Sequence, residues 1–182
     1  SSTIEGSPLS KVEVRQAISY ALNRQPIVDA RGFGVWTVGD QVVADAFPAG
    51  HLDDSYNCTY DIEKARELLA EAGYPDGFKT TIYAQPGMTD KDSLVIIQDM
   101  LAQVGIEAEL QFPDNGGYSG IRKEGWDGLL MQHVRALPAL DSTFGLFFGE
   151  TRTTYTSLWA PPEMEALFEE AGRTVDNQEI IQ

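Results

Sequence analysis

Cysteine and histidine are scarce in this sequence, and each shortage excludes a class of chemistry. Cys58 is the one cysteine, so no disulfide can form within the chain. The two histidines, His51 and His133, lie far apart, and neither belongs to an HExxH or CxxC pattern. We therefore expect no metal site and no cofactor.

Basic residues are also few, which limits the partners of the chain. The 182 residues include 13 Lys and Arg against 28 Asp and Glu, for a net charge of −15. Such a charge repels phosphate backbones, so we expect no nucleic-acid partner. No apolar run approaches the roughly 20 residues needed to cross a bilayer. We therefore expect no direct membrane insertion by these residues.

The motifs of the common enzyme classes are missing as well. The sequence contains no GxSxG elbow and no complete GxGxxG loop, and its paired carboxylates lie in polar stretches that are typical of solvated surfaces. A hydrolase that uses a carboxylate and a histidine such as His133 stays open as an alternative. Aromatic and polar residues gathered in loops favour a binding protein over an enzyme.

The sequence has a sizeable apolar content and clear signals for where helices begin and end. Apolar residues make up 42% of the chain, enough for a substantial core. The stretch DIEKARELLAEAGYPDGF, 61–78, begins with an Asp cap and carries an Ala/Leu stripe at helical spacing. It ends with Gly73, Tyr74 and Pro75, which predict a helix stop. Ser10 is predicted to cap an earlier helix that ends near Arg24.

Strands alternate with helices after this stretch. The patterns predict strands at 78–84, 106–112 and 126–134, separated by a helix at 89–105 and by a short helix or loop. A last helix is predicted at 161–174. This order indicates an α/β domain with right-handed crossovers. Three strands make a thin sheet for one domain over 1–182, so we expect the chain to be part of something longer.

Three segments resemble the family 5 extracellular solute-binding proteins of ABC transporters, the class that includes dipeptide- and oligopeptide-binding proteins. The first is VRQAISYALNRQPIVD, 14–29, where an Arg-x-Ala-Ile helix runs into a second helix. The second is YDIEKARELLAEAGYPDGF, 60–78, which is the most recognisable. The third is YTSLWAPPEMEALFEEAGRTVDNQE, 155–179. They occur in the order and spacing that the family shows.

The resemblance implies a fold, a role and a location. The fold would be the C-terminal lobe of a type II periplasmic-binding-protein-like protein, with a small mixed sheet flanked by helices. Two lobes would close over a solute, here a peptide, and deliver it to the permease subunits of an ABC importer. The parent protein would lie outside the cytoplasm, in the periplasm or on the outer face of the cell membrane. It would not be an enzyme.

The resemblance also implies where the solute is held. In peptide-binding relatives, the segment after the third strand lines the cleft and carries an aspartate that meets the α-amino group of the peptide. Here Leu137 stands near that position, and Asp141 follows one turn later, which is a departure from the family pattern. Asp141 is therefore expected to take the role through a shifted loop, or the solute lacks a free amino end.

Four more residues complete the predicted ligand-binding set. Arg135 lies in the same loop, and its guanidinium is suited to a carboxylate because it can bind both oxygens. His133 ends the third predicted strand. Trp36 and Gln41 lie in the irregular segment 32–58 and are weaker candidates for the same wall. Long irregular segments within a compact domain are often functional.

Overall fold

The computed structural model describes residues 1–39, 59–133, 147–149, 153–164, 166–167 and 170. Within them, a 3-10 turn at Pro8–Ser10 precedes five helices and three strands whose two ends are both described. In chain order these are α1 (Val12–Ala21), α2 (Arg24–Arg31), α3 (Ile62–Glu71), β1 (Phe78–Ala84), α4 (Lys91–Ala102), β2 (Ile106–Gln111), α5 (Asn115–Glu124) and β3 (Leu129–Met131). Helices and strands alternate from α3 onward, which confirms the α/β class predicted from the sequence.

Helix α3 has both ends fixed by the residues that the sequence indicated. The Asp61 carboxylate accepts the backbone N–H of Lys64 at 2.9 Å, as an N-cap does. At the other end Gly73 has a φ of 89°, and the Tyr74 N–H donates to the Leu69 carbonyl at 2.8 Å. This is the bond of a Schellman stop. The buried face of the helix consists of Ala65, Leu68 and Leu69.

The sheet has three strands in the order β2-β1-β3, and both pairings are parallel. Phe78 of β1 pairs with Ile106 of β2, and Ile82 of β1 pairs with Leu129 of β3. The chain thus moves from β1 to β2 in one direction and then crosses back to reach β3 on the other side of β1. The resemblance implied a mixed sheet, whereas every strand in the described residues runs parallel.

Hydrophobic clusters lie against both faces of the sheet, because successive strand residues point to opposite faces. The second face is covered at β1 and β3, whereas Glu107, Glu109 and Gln111 of β2 are exposed. On one face Ile82 and Ala84 of β1 join the main cluster, which includes buried residues of α1, α3 and α4. On the other face Tyr83 of β1 and Leu130 of β3 pack with Ile121 of α5 against a second cluster. The buried members of this second cluster are Trp126, Phe147 and Tyr155. Helices α4 and α5 therefore lie on opposite faces.

The third strand is shorter than the sequence predicted. The expected strand at 126–134 is reduced to Leu129–Met131. The Trp126 N–H donates to the Ser157 hydroxyl oxygen at 2.8 Å and not to a neighbouring strand. Gly128 has a φ of 137°, which side-chain-bearing residues rarely adopt. The apolar run predicts a buried strand, but its first part is a turn that places the Trp126 indole in the second cluster.

The first helix begins without the predicted cap. Ser10 lies in the 3-10 turn, and its hydroxyl donates to the Ser7 carbonyl at 2.7 Å. The N-cap position of α1 is Lys11, which makes no capping bond with its side chain. The helix ends at Ala21, and Arg24 begins α2. The two helices predicted over 14–29 are therefore present, but the first starts after a 3-10 turn and not at a Ser10 cap.

The last predicted helix, 161–174, falls only partly within the described residues. There it is helical at Glu163, Met164, Ala166, Leu167 and Glu170. None of the helices in the described residues is long and apolar enough to cross a membrane.

Candidate functional site

The carboxyl ends of β1 and β3 lie side by side because the two strands are parallel neighbours. Their pairing continues past the end of β1, where the Gln85 N–H donates to the Met131 carbonyl at 2.9 Å. The connection from β1 leads to β2 on one side of it, and the next connection leads to β3 on the other side. In open α/β sheets such a reversal of direction leaves a crevice outside the carboxyl ends of the strands. Gln85, Gln132 and His133 directly follow the two strands. We call this group the carboxyl edge.

The side chain of Gln85 joins the two strand ends. Its Oε1 accepts the backbone N–H of His133 at 2.9 Å. The Gln85 carbonyl accepts the Thr89 hydroxyl at 3.0 Å, which fixes the turn that follows β1. The His133 side chain is exposed. The Gln85 side chain therefore fixes the backbone at His133, just after β3, and with it the position of the His133 imidazole.

A second chain of hydrogen bonds ends on Gln132. The Arg122 guanidinium donates from Nη1 to the Tyr155 phenol oxygen at 2.8 Å. The Tyr155 hydroxyl in turn donates to Gln132 Oε1 at 2.8 Å. Arg122 belongs to α5, whereas Tyr155 is buried in the second hydrophobic cluster. Three separate segments thus meet at the carboxyl edge.

Two tyrosine rings hold the Arg122 guanidinium between them. Its central carbon lies 5.4 Å from the centroid of the Tyr118 ring and 5.2 Å from that of Tyr155, which is within cation–π range. Burial raises the pKa of Tyr118 to about 12, so its phenol stays protonated and donates to the Met131 carbonyl at 3.1 Å. Tyr155 has a φ of 58°, an uncommon backbone state for an aromatic residue. Such strain often accompanies functional positions.

Metal binding and acid–base chemistry have little support at this edge. No group of histidine, cysteine and carboxylate side chains that could hold a metal ion occurs in the described part of the chain. Within the same residues, no carboxylate forms an ion pair with the His133 imidazole. The groups at and beside the carboxyl edge are two amides, two phenols, one guanidinium and the exposed His133 imidazole, all of which can form hydrogen bonds.

This geometry leaves the predicted ligand-binding roles untested. His133 is part of the carboxyl edge and lies two residues past Met131, the last residue of β3. Trp36 follows α2 and is 46% exposed, and no hydrogen bond or ring contact described here joins it to the edge. Arg135, Asp141 and Gln41 lie outside the described residues, so their roles stay predictions.

Four residues of this site were not picked out by the sequence analysis. Gln85 and Gln132 had a usable signal, because each stands at or just past the end of a predicted strand, where ligands of parallel sheets bind. Arg122 and Tyr155 had none. They are 33 positions apart in the chain and meet only through the packing of α5 on the sheet.

Comparison with known proteins agrees with this fold. The profile of the "Bacterial extracellular solute-binding proteins, family 5 Middle" matches residues 3–155. The glutathione-binding protein GsiB of Salmonella choleraesuis (strain SC-B67) is 40% identical over 118 residues, which are 64% of this chain and 22% of that protein.

Solved structures give the same result over more of the chain. HbpA2 from Haemophilus parasuis superposes with a TM-score of 0.86 at 29% identity, over 96% of this chain and 36% of that one. The binding protein AgaA from A. tumefacien R10, in complex with agropinic acid, has a TM-score of 0.78 at 28% identity, over 96% of this chain and 37% of that one. The chain therefore spans between 22% and 37% of the length of these three relatives.

These likenesses confirm the periplasmic-binding-protein type of α/β fold that the three sequence segments implied. They also account for the resemblance of 14–29 and 60–78, both of which lie inside the matched region. The chain belongs to the family 5 bacterial extracellular solute-binding proteins.

Proposed function

We propose that residues 1–182 form one wall of the solute cleft in the binding component of an ABC importer. The observation that carries the proposal is the carboxyl edge, where Gln85, Gln132 and the Arg122–Tyr155 pair meet beside two parallel strands. Hydrogen-bonding side chains at this edge suit the recognition of a polar solute. The chain has the family fold that such importers use.

We infer that the solute is a peptide or a peptide-like molecule. GsiB is by name a glutathione-binding protein, and glutathione is itself a small peptide. The backbone of a peptide offers carbonyl oxygens to donors such as the amide nitrogens of Gln85 and Gln132. The role proposed for the chain is binding without catalysis.

The proposed mechanism is the closure of two lobes over the solute. Residues 1–182 would supply the C-terminal lobe, and a second lobe would supply the opposite wall. Binding in the cleft stabilises the closed form, which the permease subunits of the importer recognise. We accordingly propose that the protein lies outside the cytoplasm, in the periplasm or at the outer face of the membrane. In the same wall we propose Arg135, Asp141, Trp36 and Gln41 as further contacts.

Calorimetric titration tests the proposed function. The two-lobed protein containing residues 1–182 is titrated with glutathione and with a panel of dipeptides to tetrapeptides. We expect at least one member to bind with a Kd of about a micromolar, near −8 kcal/mol. The 182-residue chain alone should bind at least about 100-fold more weakly, because half of the contacts are missing.

Two outcomes would contradict this proposal. If no member of the panel binds the two-lobed protein, the solute is not a small peptide. If the 182-residue chain alone binds as tightly as the two-lobed protein, the site does not need a second wall.

A further inference from the structure

Several large apolar side chains lie exposed around the first turn of α4. Phe33 and Val35 are 86% and 79% exposed, and Met88, Val95 and Phe112 are each about half exposed. Exposed apolar residues that occur singly are ordinary, whereas a group of them indicates a surface that binds another molecule. These residues come from three separate segments of the chain, which the fold brings to one place.

The first of these segments is held to α4 by the ion pairs of Arg31. Its guanidinium contacts Asp90 at 2.8 Å and Asp92 at 2.9 Å, at the N-cap and in the first turn of the helix. Phe33 follows Arg31 by two residues, so the Cα atoms of the two lie within about 7 Å of each other. Met88 precedes Asp90 by two residues, and the same limit applies to that pair.

The segment after β2 reaches the same turn of the helix. The Lys91 ammonium lies 4.8 Å from the centroid of the Phe112 ring, within cation–π range. Phe112 directly follows Gln111, the last residue of β2, and Val95 stands one turn after Lys91 on the same face of α4. We call this group the α4 patch; its members are Phe33, Val35, Met88, Lys91, Val95 and Phe112.

The α4 patch lies at the end of the sheet that carries the carboxyl edge. The turn that leaves β1 at Gln85 leads into α4, and Phe112 stands at the carboxyl end of β2. The carboxyl edge itself belongs to β1 and β3. The patch and the edge are therefore separate surfaces at the same end of the sheet.

Charge limits what can cover this patch. The positive charges of Arg31 and Lys91 equal in number the negative charges of Asp90 and Asp92, whereas the whole chain carries a net charge of −15. A second copy of so acidic a chain is repelled, and a strongly basic partner is attracted more strongly to other parts of the surface. Aromatic and Met side chains are enriched where two proteins meet, so the patch suits an apolar protein surface.

We propose that the α4 patch is the surface by which this lobe docks on the permease subunits of the importer. The inference rests on the proposed function for its partner and adds the surface that contacts it. Closure of the two lobes brings the second lobe toward the carboxyl edge, so it changes what stands beside the patch. The patch and the second lobe then form a joint surface in the closed form alone, and this is the form that the permease recognises.

Binding of the two-lobed protein to its importer in lipid nanodiscs tests this surface. Biolayer interferometry is run with and without the tightest peptide of the panel, and empty nanodiscs are measured in parallel. We expect the unmodified protein to bind only the nanodiscs that contain the importer. Phe112→Ser and Val95→Ser should each weaken this binding about tenfold, because a few exposed apolar side chains often dominate an interface.

Trp159→Ser is the matched control. Trp159 is 56% exposed, and its backbone N–H donates to the Ser2 hydroxyl. The Ser2 N–H donates to the carbonyl of Ser157, whose hydroxyl accepts the N–H of Trp126 ahead of β3. Trp159 therefore lies toward the amino end of the sheet, and its truncation should change importer binding by less than about twofold.

Calorimetry with the same peptide separates docking from solute binding. Both patch variants should keep the peptide Kd within about twofold of the unmodified protein, because the patch lies outside the carboxyl edge. Their thermal unfolding should also match, since the side chains that change are exposed.

The inference fails if both patch variants bind the importer like the unmodified protein. It also fails if empty nanodiscs bind the unmodified protein as tightly as loaded ones, which would make the bilayer the partner. A loss of peptide affinity as large as the loss of importer binding would instead place the patch in the solute cleft. An unmodified protein that binds no importer would remove the proposed function and this surface together, whereas unchanged variants would remove the surface alone.

Discussion

Two glycines allow the first residues of β1 and β2 to lie close to each other. Gly77 and Gly105 stand just before β1 and β2, and their φ angles are 78° and 82°. A Cβ on Gly77 would collide with the backbone carbonyl of Gly105, and a Cβ on Gly105 would lie against the backbone of Asp76. Backbone cannot move aside as a side-chain tip can. The start of the parallel pairing therefore requires glycine at both positions.

Gly77→Ala should destabilise the chain strongly. The substitution combines a left-handed backbone with a backbone collision, so we expect a loss of about 3 kcal/mol or more in the free energy of unfolding. Gly87→Ala is the matched control, because Gly87 has a φ of 69° but nothing near its would-be Cβ. It should cost only about 1–2 kcal/mol. Urea unfolding measures both, and equal losses would contradict the collision.

The sequence alone indicates the structural role of some of these residues and not of others. The Asp-Gly-Phe turn at 76–78 could be predicted, because glycine in a turn before an alternating run has a physical reason to be there. Its partner Gly105 could not, since the collision depends on where the second strand lies. The same holds for Arg122 and Tyr155, whose meeting requires the position of α5 on the sheet.

At the scale of elements, an ion pair fastens α2 to the start of α4. Arg31, the last residue of α2, donates to both oxygens of Asp90 at 3.0 and 2.8 Å, and it also meets Asp92 at 2.9 Å. Asp90 is the N-cap of α4 and accepts from Ser93. The Arg31 guanidinium, together with Ser93, holds the pKa of the Asp90 carboxyl well below its usual range.

The pH dependence of this contact follows from the direction of that shift. Above the ordinary pKa of 3.8 the carboxylate is ionised in the folded and unfolded chains, so its stabilisation is complete. As the pH falls below that value, the unfolded chain takes up a proton first, and the stabilisation is lost progressively. The contribution of Asp90 should therefore be present at neutral pH and disappear in acid.

Asp90→Asn should reveal this dependence in thermal unfolding. Asparagine keeps the cap but not the ion pair, so we expect a Tm about 2–4 °C lower at about pH 7, and a difference that shrinks below about pH 4. Asp114→Asn is the control, because Asp114 caps α5 and no arginine of the described residues forms an ion pair with it. A difference for Asp90→Asn that stays the same down to about pH 2 would contradict the assignment.

A helix could be predicted from the sequence where the residues that cap and end it are its neighbours in the chain. Helix α3 could be read from Asp61, the Ala/Leu stripe and Gly73, because caps and stops act within a few residues. The short β3 could not, since the bond from Trp126 to Ser157 crosses 31 positions. The strand order β2-β1-β3 could not be predicted from the sequence either. The same alternation of helices and strands would also allow β3 to lie elsewhere in the sheet, for example next to β2.

At the scale of the whole molecule, the proposed cleft has one wall in residues 1–182. The carboxyl edge lies where β1 and β3 end, and hydrogen bonds join it to Tyr155 and, through Tyr155, to Arg122 of α5. One face of the sheet is packed against the main cluster, and the other is packed at β1 and β3 but exposed at Glu107, Glu109 and Gln111 of β2. We propose the carboxyl edge as the solute surface because ligands of open parallel sheets bind at the carboxyl ends of the strands. The family could be recognised from scaffold segments such as 60–78, whose apolar residues pack into the main hydrophobic cluster.

A crystal structure of the two-lobed protein with the tightest peptide of the panel is the most direct test of the central claim. We predict that the peptide lies against the carboxyl edge, with its oxygens accepting hydrogen bonds from the side-chain nitrogens of Gln85 and Gln132. A peptide bound elsewhere, with both of these amides facing solvent, would contradict the assignment of the site.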